Sequence, residues 1–246
     1  MNCKNCNQTA GGNFCAHCGQ STKVDKINLP NFLRELSEGV FQINRGFFFT
    51  LKELFVRPGY SIRAYLEGRR KSHFKPIAYA LTWSTIYFIL SQFTESGTIV
   101  NDFIKGYTNG LSLTEAKTNQ LATLEWLAKN YAYTTLLLLP LYALASYIAF
   151  SGSGFNYLEH IVLNAYITGQ QAIFYSLAAI LSFILKNEDL IVTVTLIISV
   201  TYALFVFWQF FSRPGRVAVV FRSLLTYVLS LVMTALVLFV IFLIVR

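Results

Sequence analysis

Five stretches of this chain, 76–93, 131–150, 165–185, 190–211 and 222–245, are apolar over about the 20 residues that cross a bilayer. Hydrocarbon offers no water to a backbone, so each stretch must close its own hydrogen bonds as a helix. No Asp, Glu, Lys or Arg lies inside them, apart from Arg222 at the start of the last. The reading is an all-α polytopic membrane protein with about five transmembrane helices. Composition agrees: 54% of residues are hydrophobic and 13% charged, against roughly 25% charged in soluble domains.

Basic residues set the orientation. Arg57–Pro76 carries Arg57, Arg63, Arg69, Arg70, Lys71 and Lys75 against one acid, Glu67, immediately before the first span. Such residues resist translocation and attract anionic headgroups. Arg213, Arg216 and Arg222 form a second cluster between the last two spans, whereas the loop Lys186–Asp189 is short and net acidic. Both clusters fall on one side, which predicts a cytoplasmic N-terminus and an outer C-terminus. These nine basic residues are the candidate lipid-headgroup contacts. The net charge of +8 also suits nucleic acid, but its position beside apolar spans favours headgroups, and no nucleic-acid partner is expected.

All four cysteines lie in the first 18 residues, as Cys3-x2-Cys6-x8-Cys15-x2-Cys18. Two CxxC pairs present four thiolates to one ion, the ligand set of a structural zinc site; redox-active thiols and an iron–sulfur site are the other chemistries it allows. Gly19 suits the tight turn after the second pair. The short spacer implies a miniature ribbon folded by its Zn2+, with no open coordination position for catalysis. No signal peptide is read in the first 60 residues.

The expected domains are the ribbon at 1–22, an amphipathic, basic juxtamembrane segment at 23–75, and the five-helix membrane domain at 76–246. Within 30–55 apolar residues recur at helical spacing, predicting one or two interfacial helices broken near Asn44–Gly46. Residues 60–72 read as a short helix lying flat among headgroups. Ser112–Glu115 is a capping-box pattern, so a helix should start near Leu113 and continue toward the second span, where Pro140 should kink it.

Asn44–Phe47, Thr50, Leu51, Leu54, Arg57–Gly59, Tyr65–Arg70 and Pro76 resemble the family of bacterial membrane proteins known as domain of unknown function 3667. The resemblance implies a short N-terminal zinc ribbon, several transmembrane helices and a place in the bacterial inner membrane; it implies no activity. Asn44 is a departure, since an acidic residue is common there. Beyond Pro76 the resemblance rests on hydropathy and the pair Glu159–His160.

One polar stripe enters a span. Glu159, His160, Asn164, Thr168 and Gln171 recur near helical spacing from the cytoplasmic end of the third span, forming either a candidate polar pocket or a helix interface. Nucleophile elbows, phosphate loops and kinase signatures are absent from the sequence, so no catalytic residue is assigned and no enzyme is expected. The reading is a membrane scaffold or adaptor that docks a protein partner through its ribbon, with self-association left open. The alternative is a channel, transporter or lipid-handling protein built on the stripe.

Overall fold

The computed structural model describes residues 1–24, 26–29, 45–94, 118–211 and 215–244. Among them the helices are α1 (Arg45–Val56), α2 (Pro58–Leu66), α3 (Pro76–Phe93), α4 (Thr118–Lys129), α5 (Tyr131–Ala149), α6 (Tyr157–Leu185), α7 (Glu188–Phe210) and α8 (Arg216–Ile244). Among the described residues, β structure is limited to two isolated bridges in the N-terminal piece.

Among the described residues four helices are long and apolar enough to cross a membrane: α5, α6, α7 and Arg216–Ile241 of α8. The first expected span, 76–93, folds as α3 but falls short of the other four, because Thr82, Ser84, Thr85, Ser91 and Gln92 dilute its apolar residues. Protein covers Ser84 and Ser91, while Thr85 and Gln92 stay exposed. Helix α3 makes its most extensive contacts with α6, and the rungs Phe74–Tyr166, Tyr79–Gln170 and Tyr87–Tyr175 rise together. The two helices therefore run parallel, so α3 stands in the bundle in the direction of a first span.

Helix α6 is the axis: half of its most apolar window is buried, against 11% for α8. It begins at Tyr157, well before the apolar run at 165, because Asn156 and Glu159 close a capping box on its first turn. Pro58 sits in the first turn of α2, where its missing N–H costs nothing. This helix therefore starts before residue 60 and ends at Leu66. It does not lie free on a surface, since Gly59, Ser61, Ile62, Tyr65 and Leu66 are buried. Asn130 alone separates α4 from α5. The expected helix start near Leu113, and the segment 30–44, lie outside the described residues.

Short connections at 150–156, 186–187 and 211–215 make α5 to α8 alternate in direction. The starts of α3, α6 and α8 therefore share one end of the bundle with the finishes of α5 and α7. The largest apolar core sits toward that end and joins Leu54, Ile62, Tyr65, Phe74, Tyr79, Leu163, Tyr166, Phe207 and Phe210. It draws residues from both sides of Pro76.

Candidate metal centre and its docking face

The first 22 residues repeat one unit with a period of 12. Cys3 N–H donates to the Gln8 carbonyl and Asn7 N–H to the Cys3 carbonyl; Cys15 with Gln20 and Gly19 with Cys15 do the same. The bridges Asn2–Thr9 and Phe14–Ser21 correspond, as do the left-handed Asn7 (φ 60°) and Gly19 (φ 71°). Each unit is a turn that aims backbone N–H groups at its sulfurs. Those of Cys6 and Asn5 hold the Cys3 thiol down to about pKa 6, and those of Cys18 and His17 lower Cys15.

The four sulfurs lie within 4.8 Å of one another, with Cys3–Cys18 and Cys6–Cys15 each 3.6 Å apart. A regular tetrahedron of thiolates around an ion at about 2.3 Å has edges of about 3.8 Å. The four side chains therefore fit one metal ion, and all four positions would be filled by protein.

Two amides fasten this piece to the basic turn after α2. Gln20, 5% exposed, donates to the Gly68 carbonyl (2.8 Å) and accepts from the backbone N–H groups of Arg70 (3.1 Å) and Lys71 (3.0 Å). Asn5 accepts from the Ser72 N–H (3.2 Å) and hydroxyl (3.0 Å). Lys4 Nζ reaches the Val24 carbonyl (3.1 Å). The amides complete hydrogen bonds that the irregular turn could not make by itself.

His73, buried at 5% exposure, locks the turn from its other side. Its Nδ1 lies 2.7 Å from the Arg69 carbonyl, so that nitrogen carries the proton and donates, and Nε2 accepts from the Ser61 hydroxyl at 2.9 Å. Burial, against the pull of the Arg69 carbonyl, lowers its pKa from 6.5 to about 4. In the folded chain His73 stays neutral while the unfolded chain takes up its proton below about pH 6.5. Stability is therefore lost as pH falls through the window from about 6.5 to about 4, by at most about 3 kcal/mol. Hydrogen exchange of residues 58–75 should accelerate over that window in the native chain, and far less in a His73→Gln variant. Equal acceleration in both would reject the assignment.

The nine basic residues take different places. Arg57 is exposed and forms a two-point bridge to Glu53 (2.8 and 3.0 Å). Arg63 donates to the Phe210 carbonyl at the end of α7 and lies over the Phe155 and Phe210 rings, where a cation complements the helix C-terminus. Arg69 and Arg70 are half-buried, Arg70 lying over the Tyr65 ring at 5.9 Å. Lys71 is exposed and Lys75 half-buried. Arg216 is exposed over Trp208 (5.3 Å), and Arg222 donates to the Ser151 carbonyl (3.2 Å). Arg213 lies outside the described residues.

The polar stripe does not converge on one pocket. Glu159 is spent on the capping box, its carboxylate accepting from Asn156 N–H at 2.8 Å. His160 Nδ1 meets the Ser146 hydroxyl (2.9 Å), to which Asn164 also donates (2.8 Å). Thr168 faces a shallow apolar crevice between α3, α5 and α6 with Ala80 and Leu136, which has no room for a ligand. Gln171 turns toward α7 and donates to the Ser199 carbonyl (3.2 Å). Its neighbour Gln170, absent from the expected stripe, is fully buried and accepts from Tyr79 (2.7 Å).

Residues 44–88 match the model of a family described as Protein of unknown function (DUF3667). The match takes in α1, α2, the basic turn and the first two-thirds of α3, so the resemblance read from the sequence stands on the segment that receives the cysteine piece. No curated protein and no solved structure matches the chain.

Proposed function

We propose that this integral membrane protein is a non-enzymatic scaffold or adaptor of the bacterial inner membrane, with its ribbon end in the cytoplasm. One observation carries the reading: the cysteine piece is fastened by Asn5 and Gln20 to the basic turn 68–72, so metal site and cations form a single face. Zinc is the proposed ion, because four thiolates in a closed set suit a structural Zn2+ and leave no position for substrate. Arg57, Lys71 and Arg216 reach outward and would meet anionic headgroups, each contributing about 1 kcal/mol. The rest of the face is offered to a protein partner.

Purified protein in liposomes should move neither solute nor lipid above empty vesicles. Transport that vanished in Glu159→Gln or His160→Ala would replace the adaptor with a conduit. Orientation has its own check. A charged maleimide added outside cells should label Glu188→Cys and miss Ser151→Cys; the reverse pattern would invert the topology.

A further inference from the structure

We infer that α1 is seated within the hydrocarbon of one leaflet, its outward face covered by lipid acyl chains. This rests on the membrane reading of α5 to α8 and is independent of the adaptor role. The first observation is depth. Phe47 stacks on Trp83, two turns or about 10 Å beyond the first residue of α3. At the other end of α1, Phe55 meets the Phe174 ring of α6 (6.1 Å) and the Leu54 carbonyl accepts from Tyr202 (3.0 Å). Tyr202 lies about 12 Å before the last residue of α7. Both ends of α1 thus reach into the bundle, while between them Phe49 meets the His73 ring and Thr50 accepts from Phe74 N–H. Helix α2 returns to the bundle's end, with Gly59 N–H donating to Gln209 and Arg63 to Phe210.

The second observation is the chemistry of the outward face. Phe48, Phe55 and Val56 are 70%, 48% and 64% exposed, and Lys52 is the cation among them. At this depth, water against three large apolar side chains would be costly, about 1.5–3 kcal/mol for each fully exposed one. The helices that α1 touches through Phe174 and Tyr202 also expose apolar side chains, among them Leu177, Leu196, Ile198 and Phe205. Lys52 and Arg57 carry stems long enough to reach headgroups from a helix so placed. Lipid is therefore the one occupant that suits the whole face. The expected interfacial helix lies deeper than a helix resting on headgroups.

The test uses the full, metal-loaded chain in vesicles of phosphatidylcholine and phosphatidylglycerol brominated in mid-chain. The fluorescence added by Phe48→Trp or Phe55→Trp should be quenched by more than about half, and that added by Lys71→Trp barely at all. A thiol in hydrocarbon does not ionise, so Phe48→Cys should react with a charged maleimide at least about tenfold slower than Lys71→Cys, counted above the unsubstituted chain. Phe48 is 70% exposed and a tryptophan at 55 keeps an aromatic ring toward Phe174, so unchanged helix content and melting of each variant serve as the folding control. Quenching equal to that at residue 71, or equal labelling rates, would overturn the placement. Slow labelling without quenching, together with Phe48→Cys cross-links between chains, would put a second copy on this face and overturn it equally.

Discussion

Replacing Cys15 and Cys18 together with serine is expected to abolish metal binding and to unfold residues 1–22 as a unit. Apart from the cysteines, that piece buries only Ala10 in its core, so hydrophobic burial cannot hold it. Metal binding would, since a structural zinc site supplies about 10–16 kcal/mol of folding free energy. Elemental analysis should find one zinc per native chain and none in the variant, and amides 1–24 of the variant should exchange at unfolded rates. Loss of the ribbon should also free Asn5 and Gln20 from the turn, loosening residues 68–72. The membrane helices should remain, because the inner clusters around Ala143 and Tyr87 contain no ribbon residue. Iron in the native chain would reject zinc, and a variant that kept its metal would reject the ligand set.

The membrane helices and the metal site were legible because each follows from a local rule. Long apolar runs must be helices in lipid, and two CxxC pairs present four thiolates whatever surrounds them. What could not be read is what partners what. Asn5 and Gln20 look like any polar ribbon residues in sequence, although the period of 12 sets Gln20 beside Gln8 and raises the question of why one is buried. His73 precedes the first span and reads as part of a charged collar, yet its ring bonds Ser61 and the Arg69 carbonyl. Spacing alone left the stripe open between a pocket and a helix interface. Glu159, His160, Asn164, Thr168 and Gln171 share a general direction on paper, but their side chains answer to α5, α7 and the helix's own cap. The span of α3 was legible as an apolar run, but the sequence does not show which of its polar residues are covered: Ser84 and Ser91 are buried in the bundle, whereas Thr85 and Gln92 are exposed.

A valine at position 169 should separate α3 from α6 and destabilise the bundle by several kcal/mol. A β-carbon there would lie 2.5 Å from Tyr79 Cδ1 and 3.2 Å from the Ala80 Cα, and the Tyr79 ring, fully buried, has no open space to move into. Small residues at such crossings let membrane helices approach until dispersion contacts replace the missing hydrophobic drive. Overpacking alone costs about 1–3 kcal/mol. Displacing Tyr79 also breaks its 2.7 Å bond to the amide oxygen of Gln170, whose amide nitrogen has no hydrogen-bond partner among the described residues. Leaving that buried amide wholly unpaired costs about a further 1–3 kcal/mol. For a chain of this size the sum lowers the melting temperature by about 10 °C, read in detergent or nanodiscs against Gly11→Ala, where a β-carbon meets nothing. Equal melting of the two variants would mean that α3 does not rest on α6 through Tyr79, and the parallel pairing on which the bundle's common end depends would fall with it.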